Sequence, residues 1–139
     1  MAFNFSALLA QPVLGSLSEG QANIIVSARL WVAMRKRGGD PNLLMAQRLG
    51  SDSAAWQFWL LMEEVGTAWP DPFLVSPPCC GRMSHDESLL LDMLHHAAGR
   101  DGGAFHALLD EMLPMEHRER LYGTAGAFLT ALTQLAGQG

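Results

Sequence analysis

Proline density over residues 69–83 constrains the fold of this 139-residue chain more than any other feature, because four of its seven prolines lie there. Proline fixes its own φ, lacks an amide hydrogen and disfavours helix in the preceding residue, so this stretch cannot form a helix. Phe73, Leu74 and Val75 predict one extended apolar segment, but no second convincing strand is present to pair with it. Sequence with helical periodicity lies on both sides. We therefore predict an all-α fold with a Pro-rich, Cys-Cys-containing hinge between helices 3 and 4.

Three helices are predicted before the hinge from the residues that start and stop them. Ser18 and Gln21 match a capping box, in which each side chain satisfies an exposed backbone amide at the start of a helix. Gly38-Gly39 ends this helix, since glycine accepts the left-handed conformation without steric penalty. Asp40 followed by Pro41 starts the second helix, as an N-cap acceptor followed by proline at the first helical position. The three predicted spans are about 18–37, 41–49 and 51–69.

Three further helices are predicted after the hinge. Ser84 and Glu87 form the best capping box in the chain, and Asp86 adds a negative charge to the first turn. Gly99 stops that helix, and Pro114 separates the remaining two. The three predicted spans are about 84–98, 103–113 and 115–136. The result is a compact bundle of about six helices.

Residues 1–17 show no sustained period and predict an irregular N-terminal arm, followed by a single helical domain, residues 18–139. The apolar residues of the arm suit docking on a surface, including that of another subunit; they are Phe3, Phe5, Leu8 and Leu9. No basic residue precedes them, so no signal peptide is expected. The longest strongly apolar run, residues 58–62, is too short to span a membrane. We expect a cytoplasmic protein with reduced cysteines and no membrane partner.

The last predicted helix repeats apolar residues at steps of four and three, which is the spacing of a packed seam; they are Leu121, Ala125, Phe128, Leu132 and Leu135. Gly123 and Gly126 lie inside this helix, and each costs about 1 kcal/mol relative to alanine. A close helix crossing would compensate for this cost, and a dimer contact is the alternative. Both glycines are therefore interface candidates.

Apolar residues make up 49% of the chain and charged residues only 17%, an imbalance that favours self-association. The net charge of -5 repels nucleic acid and anionic membranes. A basic cluster at the end of the first helix is explained by the helix dipole, which favours cations there. We do not expect a nucleic-acid partner; the alternative, a nucleic-acid-binding regulator, would use Arg29, Arg35, Lys36, Arg37 and Arg48.

Three tryptophans on the first and third helices are further interface candidates: Trp31, Trp56 and Trp59. Such residues are usually part of a core. Together with low charge they also suit a helical groove or a subunit interface.

The adjacent cysteines Cys79 and Cys80 are the first candidates for chemistry. Thiolates are favoured near positive charge or a helix N-terminus, and Arg82 and the helix starting at Ser84 follow closely. A redox, metal-binding or acylation role is therefore physically reasonable. The alternative is that both cysteines act as small apolar residues that fill a tight turn.

A metal site is a second possibility around the histidines of the fourth helix. Asp92 and His95 lie at i, i+3 on one helix face, a spacing by which bundles present a carboxylate and an imidazole to a metal. His96, together with Glu63 or Glu64, is a further possible ligand, alongside Cys79 and Cys80. The Glu-x-x-His pattern is not repeated on a second helix, and a histidine pair near a helix C-terminus is more often a surface pair that compensates the dipole. We expect no resident cofactor other than such an ion.

The order of these features resembles an uncharacterised bacterial family of short all-helical proteins, a domain of unknown function. Its members share a Pro-Cys-Cys-x-Arg-Met-Ser/Thr-x-x-Glu motif, which residues 78–87 match from Pro78 to Glu87. The family has a third consecutive cysteine where Gly81 stands here, which weakens the case for a metal cluster. The resemblance implies the helical architecture and brings no activity with it.

Neither a G-x-S-x-G elbow nor a strand followed by a Gly-rich phosphate loop is present, so the sequence favours a protein that is not an enzyme. We predict a non-enzymatic protein that acts through protein contacts, as a homodimer or as an adaptor or regulatory protein with an unidentified protein partner. The first alternative is a thiol-redox or metal-binding protein centred on Cys79 and Cys80, with Arg82 as a supporting cation.

Overall fold

The computed structural model describes residues 14–138, and these form an all-α structure with six α-helices, as predicted. One turn of 3-10 helix, Leu14–Ser16, precedes them. The helices are α1 (Glu19–Lys36), α2 (Asn42–Leu49), α3 (Asp52–Ala68), α4 (His85–Ala98), α5 (Gly102–Leu109) and α6 (Met115–Gln138). Residues 69–84 connect α3 to α4 without helix. None of the helices in the described part of the chain is long and apolar enough to cross a membrane.

The predicted helix starts are confirmed where a side chain caps the backbone. Ser18 and Gln21 form a reciprocal capping box at α1, and Ser84 and Glu87 form one at α4. The hydroxyl of Ser51 accepts a hydrogen bond from the Ala54 amide at the start of α3. These local signals decide the boundaries because the first amides of a helix have no partner within it.

The fifth helix ends four residues earlier than predicted, at Leu109 rather than residue 113. Pro114 disfavours helix in the residue before it, and residues 110–113 form a turn instead. Arg118 of α6 stabilises this turn: its Nε donates to the Leu113 carbonyl at 3.0 Å, and its guanidinium lies 3.3 Å from the Asp110 carboxylate.

The core lies where α3 and α4 pack on α6, with α2 against α3 and α5 against α4 and α6. Phe58 of α3 and Phe128 of α6 are fully buried, with ring centroids 5.3 Å apart. The predicted seam of α6 is confirmed for its first three members, which are buried, and Leu132 is half-buried; the side chain of Leu135 lies outside the described part.

A second, smaller cluster joins the start of the described chain to α1 and α4. Ile25, Met83 and Leu91 are buried together, and Leu14 and Leu17 pack against them. The Leu14 amide also donates to the Gly81 carbonyl at 2.7 Å. The end of the predicted arm is therefore packed on the segment that carries the cysteines. Phe3, Phe5, Leu8 and Leu9 lie outside the described residues.

Candidate functional site

The site is organised by Arg29, which the sequence offered as a contact of the alternative nucleic-acid-binding regulator. The structure does not support that contact, because only 1% of Arg29 is exposed. Four residues before it, Ile25 is fully buried, so both side chains lie on the same inward face. That i, i+4 relation to the strongly apolar Ile25 was the signal in the sequence that could have identified Arg29 as buried.

Arg29 of α1 and Glu87 of α4 form a buried ion pair with two contacts. The Nε of Arg29 lies 2.7 Å from Oε2 of Glu87, and one Nη lies 3.0 Å from Oε1. The Glu87 side chain, like that of Arg29, is fully buried. Such a bidentate arrangement gives the charge-assisted bonds fixed geometry as well as strength.

The remaining donors of Arg29 are directed at main-chain carbonyls of residues 76–84, which we call the Cys loop. They reach the carbonyl of Cys80 at 2.6 Å, that of Arg82 at 2.9 Å and that of Pro77 at 3.4 Å. With the two bonds to Glu87, every N–H of the guanidinium has a partner. The loop therefore curls around a cation supplied by another helix.

Glu87 connects this ion pair to the start of α4. Its carboxylate accepts the Ser84 amide at 2.8 Å, which is half of the capping box, and the Ser76 amide at 3.3 Å. The Ser84 hydroxyl donates to the Leu74 carbonyl at 2.6 Å while accepting the Glu87 amide. The predicted cap is thus confirmed, and it also binds both ends of the Cys loop.

The electrostatics of Arg29 follow from these contacts. The hydrogen bond to Glu87 raises the pKa of Arg29, burial opposes the rise, and the charge of Glu87 adds to it. The thiolate charges of Cys80 and Cys79 raise it further. Arg29 is therefore a permanent cation, and both sulfur atoms lie within its electrostatic reach.

Asp86 supports the same segment from the other side. Its carboxylate accepts the Leu74 amide at 2.8 Å and the indole N–H of Trp69 at 3.2 Å. The sequence predicted only a favourable charge in the first turn of α4. The structure adds a contact that fixes the path of residues 69–74, where Trp69 also packs edge-on against Phe73.

The two cysteines are free, with Cys79 exposed and Cys80 half-buried. The Cys80 amide donates to the Pro77 carbonyl at 2.9 Å and closes a tight turn. Since Cys79 is exposed, it does not fill a gap in the core. The side chain of Arg82 is also exposed, and its contribution to the site described above is its carbonyl.

The structure does not gather the other predicted metal ligands around the cysteines. Asp92 and His95 are exposed on α4 and His96 is half-buried. Within residues 14–138 there is no group of three or more histidine, cysteine, aspartate or glutamate side chains arranged to hold a metal ion. Glu63 pairs with Arg35 at 2.9 Å instead.

The predicted basic set is spread over different environments. Arg29 is buried, Arg35 stacks on the Trp59 ring at 4.6 Å from its centroid, and Arg48 donates to Asn23 at 2.9 Å. Lys36 and Arg37 are exposed at the end of α1. These side chains do not form one exposed basic face.

The tryptophan candidates also separate. Trp31 is buried and packs edge-on against the half-buried Trp59, with centroids 5.8 Å apart, so Trp31 belongs to the core of the chain. Trp56 is 53% exposed, and Leu60, one turn later on α3, is 38% exposed. Only Trp56 and part of Trp59 remain on the surface.

The glycines of α6 face open space. A Cβ atom built on Gly123 or on Gly126 would meet nothing within 4 Å, so no other described helix crosses closely there. Both glycines line a groove of about 670 Å³ between α6 and the end of α4, with Ala97, Ala98, Arg100, Tyr122, Leu129, Thr130, Leu132 and Thr133. The close crossing within the chain, one of the two predicted explanations, is absent from the described part.

No family model, curated protein or solved structure matches the chain. The resemblance to an uncharacterised bacterial family therefore stays a prediction.

Proposed function

We propose that the protein is a non-enzymatic homodimer that acts through protein contacts, and that α6 supplies the contact between its two copies. The observation that carries this proposal is the open face at Gly123 and Gly126. Each glycine lowers helix stability by about 1 kcal/mol relative to alanine, and within the described residues 14–138 neither one is packed closely against another helix.

A second copy is a suitable occupant because the same face can supply both sides of the contact. Most soluble oligomers are symmetric dimers in which one patch meets itself. Two α6 helices could approach closely at their glycines, with the half-buried Leu129 and Leu132 beside them. A helix of 24 residues is about 36 Å long, enough for a contact along several turns.

The charges that line this face add no carboxylate repulsion between two copies. The protein carries a net charge of -5, so two copies repel each other at long range. Arg100 is the one charged residue among those lining the groove, and it is a cation. A contact centred on this groove therefore brings no carboxylates of the two copies together at its centre.

The test is the mass of the protein in solution, measured by size-exclusion chromatography with light scattering over a range of concentrations. We expect a dimer for the natural sequence and a monomer for Gly126→Leu, because the larger side chain would hold the helices apart. Gly66→Leu is the matched control: Gly66 is an exposed helical glycine of α3 with nothing within 4 Å of its Cβ position. A natural protein that is monomeric throughout, or equal behaviour of the two variants, would contradict the proposal.

We further propose a cytoplasmic location and membership of the uncharacterised bacterial family that shares the Cys-Cys motif. The location is supported by the two free cysteines, one of them exposed, which a reducing compartment would keep as thiols.

A further inference from the structure

The Cys loop has features that the proposed dimer does not use. Cys79 and Cys80 are adjacent, free and reachable from solvent. The backbone around them is fixed, because the Cys80 amide is bonded to the Pro77 carbonyl at 2.9 Å and the Cys80 carbonyl to Arg29 at 2.6 Å. Pro77 and Pro78 add rigidity before the turn. A ligand that binds both sulfur atoms would therefore have little backbone left to order.

Arg29 fixes the backbone on both sides of the cysteines. It is buried beside the loop, and its N–H groups donate to the carbonyls of Pro77, Cys80 and Arg82. Thiolates are the forms of cysteine that bind metals.

The ligand set restricts which ion fits. No third histidine, cysteine or carboxylate of residues 14–138 joins the cysteines in a group that could hold a metal, and residues 1–13 contain none of these residue types. Structural zinc usually takes four ligands, and calcium and magnesium prefer oxygen. Soft thiolate ligands select ions such as Cu(I).

We propose that Cys79 and Cys80 form a two-thiolate site for a soft, thiophilic metal ion of low coordination number, of which Cu(I) is the representative. Binding breaks two S–H bonds and forms two S–Cu bonds within one chain. Two protons leave to solvent, and copper remains in the +1 state, so no oxidant or reductant takes part.

The experiment is an anaerobic titration of the full chain with Cu(I) in competition with a chromogenic Cu(I) chelator. We expect one ion per chain, with affinity at least tenfold lower in Cys79→Ser and in Cys80→Ser. Ser53→Ala is a control on the exposed surface of α3. Because Cys79 is exposed and Cys80 half-buried, both serine variants should fold, and circular dichroism verifies this.

A synthetic peptide of residues 76–87 shows whether Cu(I) binding depends on the folded protein or only on the presence of two adjacent cysteines. It carries both thiols without Arg29, so the folded chain should bind Cu(I) at least tenfold more tightly. Equal affinity of the peptide and the protein would overturn the proposal, as would one ion per two chains, which would mean a site shared between copies. Unchanged affinity in either cysteine variant would also overturn it. None of these results depends on whether the protein is a dimer through α6.

Discussion

Removal of the Arg29 side chain tests the main structural interpretation. In Arg29→Met, the methionine keeps much of the apolar length of the side chain, but the buried carboxylate of Glu87 loses its cation. The carbonyls of Pro77, Cys80 and Arg82 lose their donor at the same time. Removing one partner of a buried pair costs about 3–5 kcal/mol, because the other charge is left without compensation.

That loss is a large fraction of the total stability, which for a domain is about 5–15 kcal/mol. Urea unfolding followed by tryptophan fluorescence and circular dichroism should therefore show a much lower midpoint with the same slope. A slope that changes would indicate that the Cys loop has come loose in the native state.

The matched control is a pair with the same separation but different burial. Arg120 and Glu116 of α6 also lie 2.7 Å apart, but their side chains are 55% and 70% exposed. Exposed i, i+4 pairs contribute only about 0.3–0.5 kcal/mol, so Arg120→Met should be nearly neutral. If the free energy of unfolding of Arg29→Met falls by less than about 1 kcal/mol, or by no more than that of Arg120→Met, then the Arg29–Glu87 pair does not hold the Cys loop in place.

A double variant distinguishes lost charge pairing from lost packing. Glu87→Gln keeps an oxygen that can accept the Ser84 amide but removes the negative charge opposite Arg29. Each single variant leaves one buried charge alone, whereas Arg29→Met with Glu87→Gln leaves none. The combined loss should therefore be smaller than the sum of the two single losses by about 1–3 kcal/mol. Additive losses would show that the two charges are not coupled.

Two further predictions concern backbone strain and pH. Arg100, just after the end of α4, has a φ of 55°, a left-handed conformation that costs a residue with a Cβ about 1 kcal/mol. In urea unfolding, Arg100→Gly should therefore stabilise the fold by about 1 kcal/mol, whereas Arg100→Ala should not. A gain in both variants would contradict this explanation. The raised pKa of Arg29 means that its contribution is complete below the pKa of an unfolded arginine and is lost only as pH rises through the still higher folded value. In the Glu87→Gln background, where no carboxylate is left opposite residue 29, the loss of unfolding free energy caused by Arg29→Met should therefore stay constant from pH 6 to 8. A steady decline over that range would show that another group controls the loop.

The sequence predicted those parts of the fold that depend on local chemistry. Ser18 and Ser84 could be recognised as helix starts because the backbone amides that they cap lie only three residues away. Arg29 could not be assigned in this way, because its carboxylate partner is 58 residues distant along the chain. Whether an arginine on a helix points to solvent or to a buried acid is decided by tertiary packing.

The same distinction applies to the glycines of α6. Gly123 and Gly126 are unfavourable in a helix, and the sequence therefore predicted a compensating contact. Which helix would supply the contact could not be read from spacing alone, because it depends on how α4 and α6 diverge around the groove. The structure leaves the space beside both glycines open within the described chain, which is why the interface proposal rests on them.

A buried arginine at this position has a physical reason that an apolar residue would not satisfy. Residues 69–84 form no helix, and the carbonyls of Pro77, Cys80 and Arg82 face the buried Arg29, where carbonyls need donors. A neighbouring β-strand would normally supply them. Arg29 supplies donors to three carbonyls from one side chain, and Glu87 accepts two amides of the same loop. The ion pair, together with the Leu14 amide on the Gly81 carbonyl, thus supplies the partners that the backbone of this segment needs. This is how a proline-rich segment carrying two cysteines can be held in one conformation inside an all-helical fold.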